Sequence, residues 1–84
     1  MDLIFRGDNG IAINPDYLFI KSFTEDCKKY YNIRACYNAG ANWVRITKNY
    51  ESYDEVINAY RTIYNRAIEM ALGLNRSRDL DEED

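Results

Sequence analysis

The stretch that decides the fold is SYDEVINAYRTIYNRAIEMALG, residues 52–73. Within it Tyr53, Val56, Tyr60, Ile63, Tyr64, Ala67, Met70 and Ala71 recur at spacings of three and four, while Asp54, Asn58, Arg61, Thr62, Asn65, Arg66 and Glu69 fill the other side. At about 3.6 residues per turn that pattern places one apolar stripe along one face, and it predicts an amphipathic helix over residues 53–72, about 30 Å long. Ser52 and Glu55 have the spacing of a capping box, and Asp54 and Glu55 sit where the helix dipole favours negative charge. Gly73 suits the left-handed residue that ends a helix, with Leu74 placed to fold back on Ile68. A helix with a single apolar stripe must lay that stripe on something, and the chain upstream supplies strands.

Leu3–Arg6 and Ile11–Asn14 are short apolar runs around Gly7-Asp8-Asn9-Gly10, and an Asn-Gly pair in that place predicts a two-stranded hairpin with a type I′ turn. Pro15 has no amide hydrogen to give and Asp16 favours a turn, so a bend precedes a third strand, Tyr17–Phe23. A polar connection over Thr24–Lys29 leads to a fourth, Tyr30–Tyr37, rich in aromatic and β-branched residues. A short helix over Thr24–Tyr31, capped by Thr24, is the competing reading of that connection. Asn38-Ala39-Gly40-Ala41-Asn42 reads as a tight turn into a fifth strand, Trp43–Lys48. The expected fold class is α+β: a five-stranded antiparallel meander with one long C-terminal helix packed on one face. One domain is expected over residues 1–74, followed by an acidic tail over 75–84.

Composition narrows the chemistry. The 84 residues are 46% apolar and 14% aromatic, enough for one small core. The formal charge is −3, yet five of the 14 acids fall in the last six residues, and the chain without those six has 9 acidic and 11 basic side chains. The acidity belongs to the tail. No histidine is present, which removes the commonest general base and the usual nitrogen ligand for zinc or copper. Two cysteines, Cys27 and Cys36, fall in a hairpin loop and in the strand after it, and free thiols are expected of both. The first eight residues lack a basic start followed by an apolar run, and no stretch approaches the ~20 apolar residues of a membrane span. The expectation is a protein of the host-cell cytosol, with no cofactor, no metal and no membrane contact.

Strand alternation sorts the last three strands into two faces. Leu18, Ile20 and Ser22, then Tyr31, Ile33 and Ala35, then Val44 and Ile46 form a small or aliphatic set expected to meet the helix. Tyr17, Phe19, Lys21, Phe23, Tyr30, Asn32, Arg34, Cys36, Trp43, Arg45 and Thr47 form an aromatic and basic set. Free sheet faces are normally polar, so this set is expected to be covered by a partner, a second copy, a nucleic acid, or the N-terminal hairpin folding over it. Tyr17, Phe19, Lys21, Arg34, Trp43 and Arg45 have the chemistry of a single-stranded nucleic-acid platform, in which rings stack on bases and cations hold phosphates. The same residues serve equally as a dimer interface or a second small core. The tail acids Asp79, Asp81, Glu82, Glu83 and Asp84, with Glu69 on the helix, read as a set that meets basic residues of a partner by imitating phosphate. A solvated acidic terminus is the plainer reading of the same block. Arg6-Gly7-Asp8 is explained by its turn, and no glycine loop for phosphate or paired-carboxylate site is present.

At Asn14-Pro15-Asp16-Tyr17, Tyr30-Tyr31-Asn32-Ile33, Trp43-Val44-Arg45-Ile46 and Tyr50–Val56 the chain resembles a loose group of small proteins encoded by Firmicutes and their phages and integrated elements. The likeness spans residues 11–72. It implies a meander closed by one amphipathic helix, and an interaction module in place of an enzyme. In type the chain is also similar to anti-CRISPR inhibitors, which occupy the DNA or guide-RNA surface of a CRISPR nuclease. That resemblance implies a protein partner of the nucleic-acid-processing class. A single-stranded nucleic-acid-binding module and a structural homodimer are the alternatives.

Overall fold

A computed structural model of the chain describes residues 2–73. The five strands are β1 (Ile4–Arg6), β2 (Ile11–Ile13), β3 (Tyr17–Glu25), β4 (Lys28–Tyr37) and β5 (Asn42–Arg45), and the helix is α1 (Tyr53–Leu72). All neighbours are antiparallel in chain order, but they form two sheets, β1-β2 and β3-β4-β5, where one was expected. The break lies at residues 13–16. Asn14 takes a left-handed φ of 51° and Pro15 has no N–H, so the chain leaves the plane of β2. The backbone groups that would have bonded β3 go elsewhere: the Tyr37 hydroxyl accepts from Ile13 N at 3.1 Å and donates to Ile13 O at 3.2 Å. The Asp16 amide donates to Cys36 O, which starts the larger sheet.

The turns obey backbone sterics more than the Asn-Gly signal. Neither Asn9 nor Gly10 has a positive φ, so the expected type I′ turn is not there. The loop instead takes its shape from β5's end, where Asn9 N donates to Ile46 O at 3.0 Å and Asp8 Oδ1 accepts from Lys48 N at 2.8 Å. Gly7 passes so close that a Cβ on it would lie 1.9 Å from the Ile46 carbonyl oxygen. The type I′ geometry appears between β3 and β4, at Asp26 (φ 53°) and Cys27 (φ 65°), with Glu25 paired to Lys28. The polar connection is therefore two residues long, the competing helix is absent, and both strands run further than alternation suggested. Between β4 and β5 the residues Asn38, Ala39 and Gly40 all have positive φ, and Asp16 Oδ2 accepts the Ala39 amide at 2.8 Å.

The core lies between the helix, the small hairpin and one face of the larger sheet. Ile33, Ile46 and Val56 are wholly buried, with Phe5, Ala12, Leu18, Ala35, Ile63 and Ala67 around them. Each of the larger apolar side chains among them contributes about 1.5–3 kcal/mol by leaving water. Phe5 and Ala12 are register partners in the hairpin, so the hairpin turns its inner face to this core and does not fold over the aromatic face. The helix packs chiefly on β1 and β4. It leaves Ser22 exposed and Val44 40% exposed, although both stand on its side of the sheet. Its buried positions are Val56, Ile63 and Ala67, while Tyr53, Tyr64 and Met70, expected in the stripe, are exposed.

The helix ends differ in how well the sequence described them. Ser52 has the extended backbone of a cap and its carbonyl accepts from Val56 N, but its hydroxyl makes no cap bond, so the capping box does not form. Gly73 is left-handed (φ 72°) and its amide donates to the Glu69 and Met70 carbonyls, as a C-terminal glycine should. Leu74 and the acidic tail lie outside the described residues.

Candidate functional site

The register of the larger sheet brings the aromatic and basic set into rows. Tyr17 stands beside Cys36 and Cys36 beside Trp43; in the next row Phe19 stands beside Arg34 and Arg34 beside Arg45. This is the face away from α1 and the small hairpin. Tyr17 is 51% exposed and Trp43 53%, with Lys21 exposed and Phe19, Arg34 and Arg45 half-buried, so all six residues singled out from the sequence share one open surface. Tyr17 and Phe19 lie with ring centroids 6.1 Å apart. The Arg34 guanidinium carbon sits 3.9 Å from the centroid of the Trp43 ring, a close cation–π contact.

Beneath these groups lies a polar device that alternation alone does not show. Asn32 is only 1% exposed, and an amide buried to that degree is costly unless both ends are bonded. Its Nδ2 donates to Asn49 Oδ1 at 3.0 Å and its Oδ1 accepts from Arg34 Nε at 3.1 Å. Arg45 Nη1 reaches the same Asn49 oxygen at 3.4 Å. Two buried or bridging amides thus orient two guanidiniums. Because the partners are neutral, the bonds fix direction without cancelling charge.

Asn49 reaches Asn32 because the chain bulges after β5. Ile46 N still donates to Ile33 O, but Ile33 N donates to the Thr47 hydroxyl at 3.0 Å instead of a carbonyl, and Thr47 Oγ1 donates on to Lys48 O. Pairing resumes at Tyr50, which exchanges both backbone bonds with Tyr31. The fifth strand therefore ends at Arg45, short of the expected Lys48. Thr47, assigned by alternation to the open face, is buried at 1% exposure, its hydroxyl replacing a backbone acceptor.

The neighbouring Cys36 thiol, and after it desolvation and the Asp16 carboxylate, hold the Tyr17 phenol above its ordinary value of 10.0. It presents a neutral ring. Arg34 directly opposite Arg45 is the reverse of what sheet stability favours, since like charges facing across strands destabilise. A surface with paired guanidiniums, an exposed indole and a neutral phenol can stack a flat group and hold an anion at once.

No protein-family model, no curated protein and no solved structure matches the chain. The site must be judged on its own chemistry. Glu69, the one described member of the acidic set, is on α1, across the sheet from the aromatic and basic face, so it does not meet that face. Asp79, Asp81, Glu82, Glu83 and Asp84 lie outside the described residues. Cys27 is exposed at the β3–β4 turn and Cys36 buried in β4, and they are unpaired. Among the described residues no group of three or more Cys, Asp or Glu side chains could hold a metal ion, and no helix is long and apolar enough to cross a membrane. Two grooves beside α1 share Arg6, Ile63 and Arg66. The more enclosed has a volume of about 160 Å³ and the more open about 450 Å³.

Proposed function

We propose that the protein is a non-enzymatic binding module that works through the open face of the β3-β4-β5 sheet, and that its ligand is single-stranded nucleic acid. The observation that carries this reading is the Arg34–Arg45 pair, held side by side on an exposed face by neutral amides, with Trp43 under Arg34 and its ring half in solvent. A base stacked on an aromatic ring contributes about 1–3 kcal/mol, and each phosphate neutralised adds a salt-dependent term. Titration of a labelled single-stranded oligonucleotide at low salt tests it. Trp43→Ala should weaken binding by about tenfold or more, and raising the salt should weaken it further. A flat titration with folded protein removes the reading. Light scattering that shows a dimer lost on Trp43→Ala would assign the face to self-association.

A second reading is favoured by a different part of the chain. Ile68, Met70 and Leu72 are exposed apolar residues at the end of α1, and the chain past them carries the five acids of residues 79–84. Exposed apolar residues followed along the chain by an acidic segment suit an inhibitor that docks on a nucleic-acid-processing enzyme, a CRISPR nuclease among them, and takes the place of phosphate there. The open sheet face brings oriented cations and an exposed ring together on one surface, which favours the first reading.

A further inference from the structure

The rings on the open face stand in two groups. Tyr17, Phe19 and Trp43 gather at the end that holds Arg34 and Arg45. Phe23 and Tyr30 form a second group towards the β3–β4 turn, as cross-strand partners with centroids 5.6 Å apart and planes 28° from parallel. Both are half-buried and stand on the face opposite the core. From Tyr17 to Phe23 is six steps along β3, which at ~3.3–3.4 Å per residue is about 20 Å. Lys21 lies between the groups, exposed, beside Asn32. The cation thus stands where the backbone of a strand running from one group of rings to the other would pass.

Resting on the reading of this face as a single-stranded nucleic-acid platform, we infer that the ligand lies along the β3–β4 ribbon and is held at both ends, by Tyr17 and Trp43 at one and by Phe23 and Tyr30 at the other. Such a site has a minimum length. A stacked strand advances about 3.4 Å per phosphate, so the span takes about six nucleotides, and fewer when the strand is stretched. The threshold falls near the lower end of the ~4–16 nucleotides that single-stranded binders cover.

The test is fluorescence anisotropy on the unaltered protein with labelled homopolymers of about three and about ten nucleotides, in ribose and deoxyribose forms. The longer strand should bind at least about thirtyfold more tightly, above the severalfold gained from extra binding registers. The two sugar forms tell whether RNA or DNA is the ligand, and a length step in either supports the two-ended site. Changing Phe23→Leu and Tyr30→Leu together should weaken the longer strand by about tenfold and the shorter by no more than about twofold. Leucine keeps apolar cover there, circular dichroism checks the fold, and the length comparison needs no variant at all. If both lengths bind alike, or the double variant weakens both equally, the two-ended site is wrong while the platform stands. If the unaltered protein binds neither, the platform reading falls and this inference with it.

Discussion

Ile33 and Arg34 are neighbours in β4 and belong to opposite sides of one sheet. Ile33 is wholly buried against the helix and hairpin, and its backbone bonds are completed by Ile46 and Thr47. Arg34 lies over Trp43 on the open face, and its side chain donates a hydrogen bond to an asparagine that stays beneath it. One side of the sheet is organised to exclude water, and the other spends stability on keeping two like charges together. The contrast teaches that the second face is not a core left unfinished. A core would not bury the Asn32 amide to hold a guanidinium in place, because that bond adds order and no apolar cover.

The largest effects that can break this comparison are on the covered side. Ile33→Ala should cost about 2–5 kcal/mol of unfolding free energy, since it opens a cavity among residues that cannot close on it. Trp43→Ala should cost under about 1 kcal/mol, the value of an exposed cation–π contact. Urea denaturation of the two variants measures both, and equal losses would mean that the open face is part of the core after all.

Thr47 sharpens the boundary between the faces. Thr47→Val keeps the shape but leaves the buried Ile33 amide with no acceptor, at a cost of about 1–3 kcal/mol, while Thr47→Ser keeps the hydroxyl and should lose less. The same denaturation series decides it. A larger loss for serine than for valine would show that the methyl group, not the hydroxyl, matters there.

The smallest effect concerns alkaline pH. Burial, and next the neighbouring Tyr64, hold the Tyr60 phenol above its ordinary value, and its hydroxyl donates to Leu18 O at 3.2 Å. Burial does the same for Tyr50, followed by the Asp8 carboxylate. A phenol whose folded value is raised binds its proton more tightly in the folded state. Its stabilisation is therefore complete below about pH 10, the unfolded value, and is lost as pH rises through the folded one. The urea midpoint should fall on that alkaline limb, and Tyr60→Phe should make the fall shallower while lowering the neutral midpoint slightly. A variant curve parallel to the parent's would remove Tyr60 from the account.

Much of this comparison was legible from residues alone because it rests on short-range periodicity. The helix follows from a repeat of three and four, its stop from Gly73, and the division of strand residues into an aliphatic and an aromatic set from a repeat of two. The six residues of the open face were all found in that way. The hydrogen bonds of Asn32, which alternation puts on the same face, and of Asn49 were not, although an asparagine inside a run of β-formers is a signal, because strands are poor in that residue. Thr47 was placed on the wrong side because the alternation rule assumes an unbroken strand. Tyr53, Tyr64 and Met70 satisfied the helix pattern and still lie exposed, since a stripe tells which side can be buried and not how much sheet there is to bury it.

The sequence by itself determined the elements and their faces, because backbone sterics and side-chain polarity act over a few residues and leave a periodic trace. Only the tertiary structure decided that the strands divide into two sheets, that the hairpin covers the helix side, and that Arg34 comes to rest opposite Arg45. Those outcomes turn on three consecutive positive φ values at Asn38–Gly40, on a tyrosine hydroxyl taking both backbone groups of Ile13, and on a bulge that brings Asn49 to Asn32. Each joins residues distant along the chain, and register is set by such contacts rather than by the composition of any one strand.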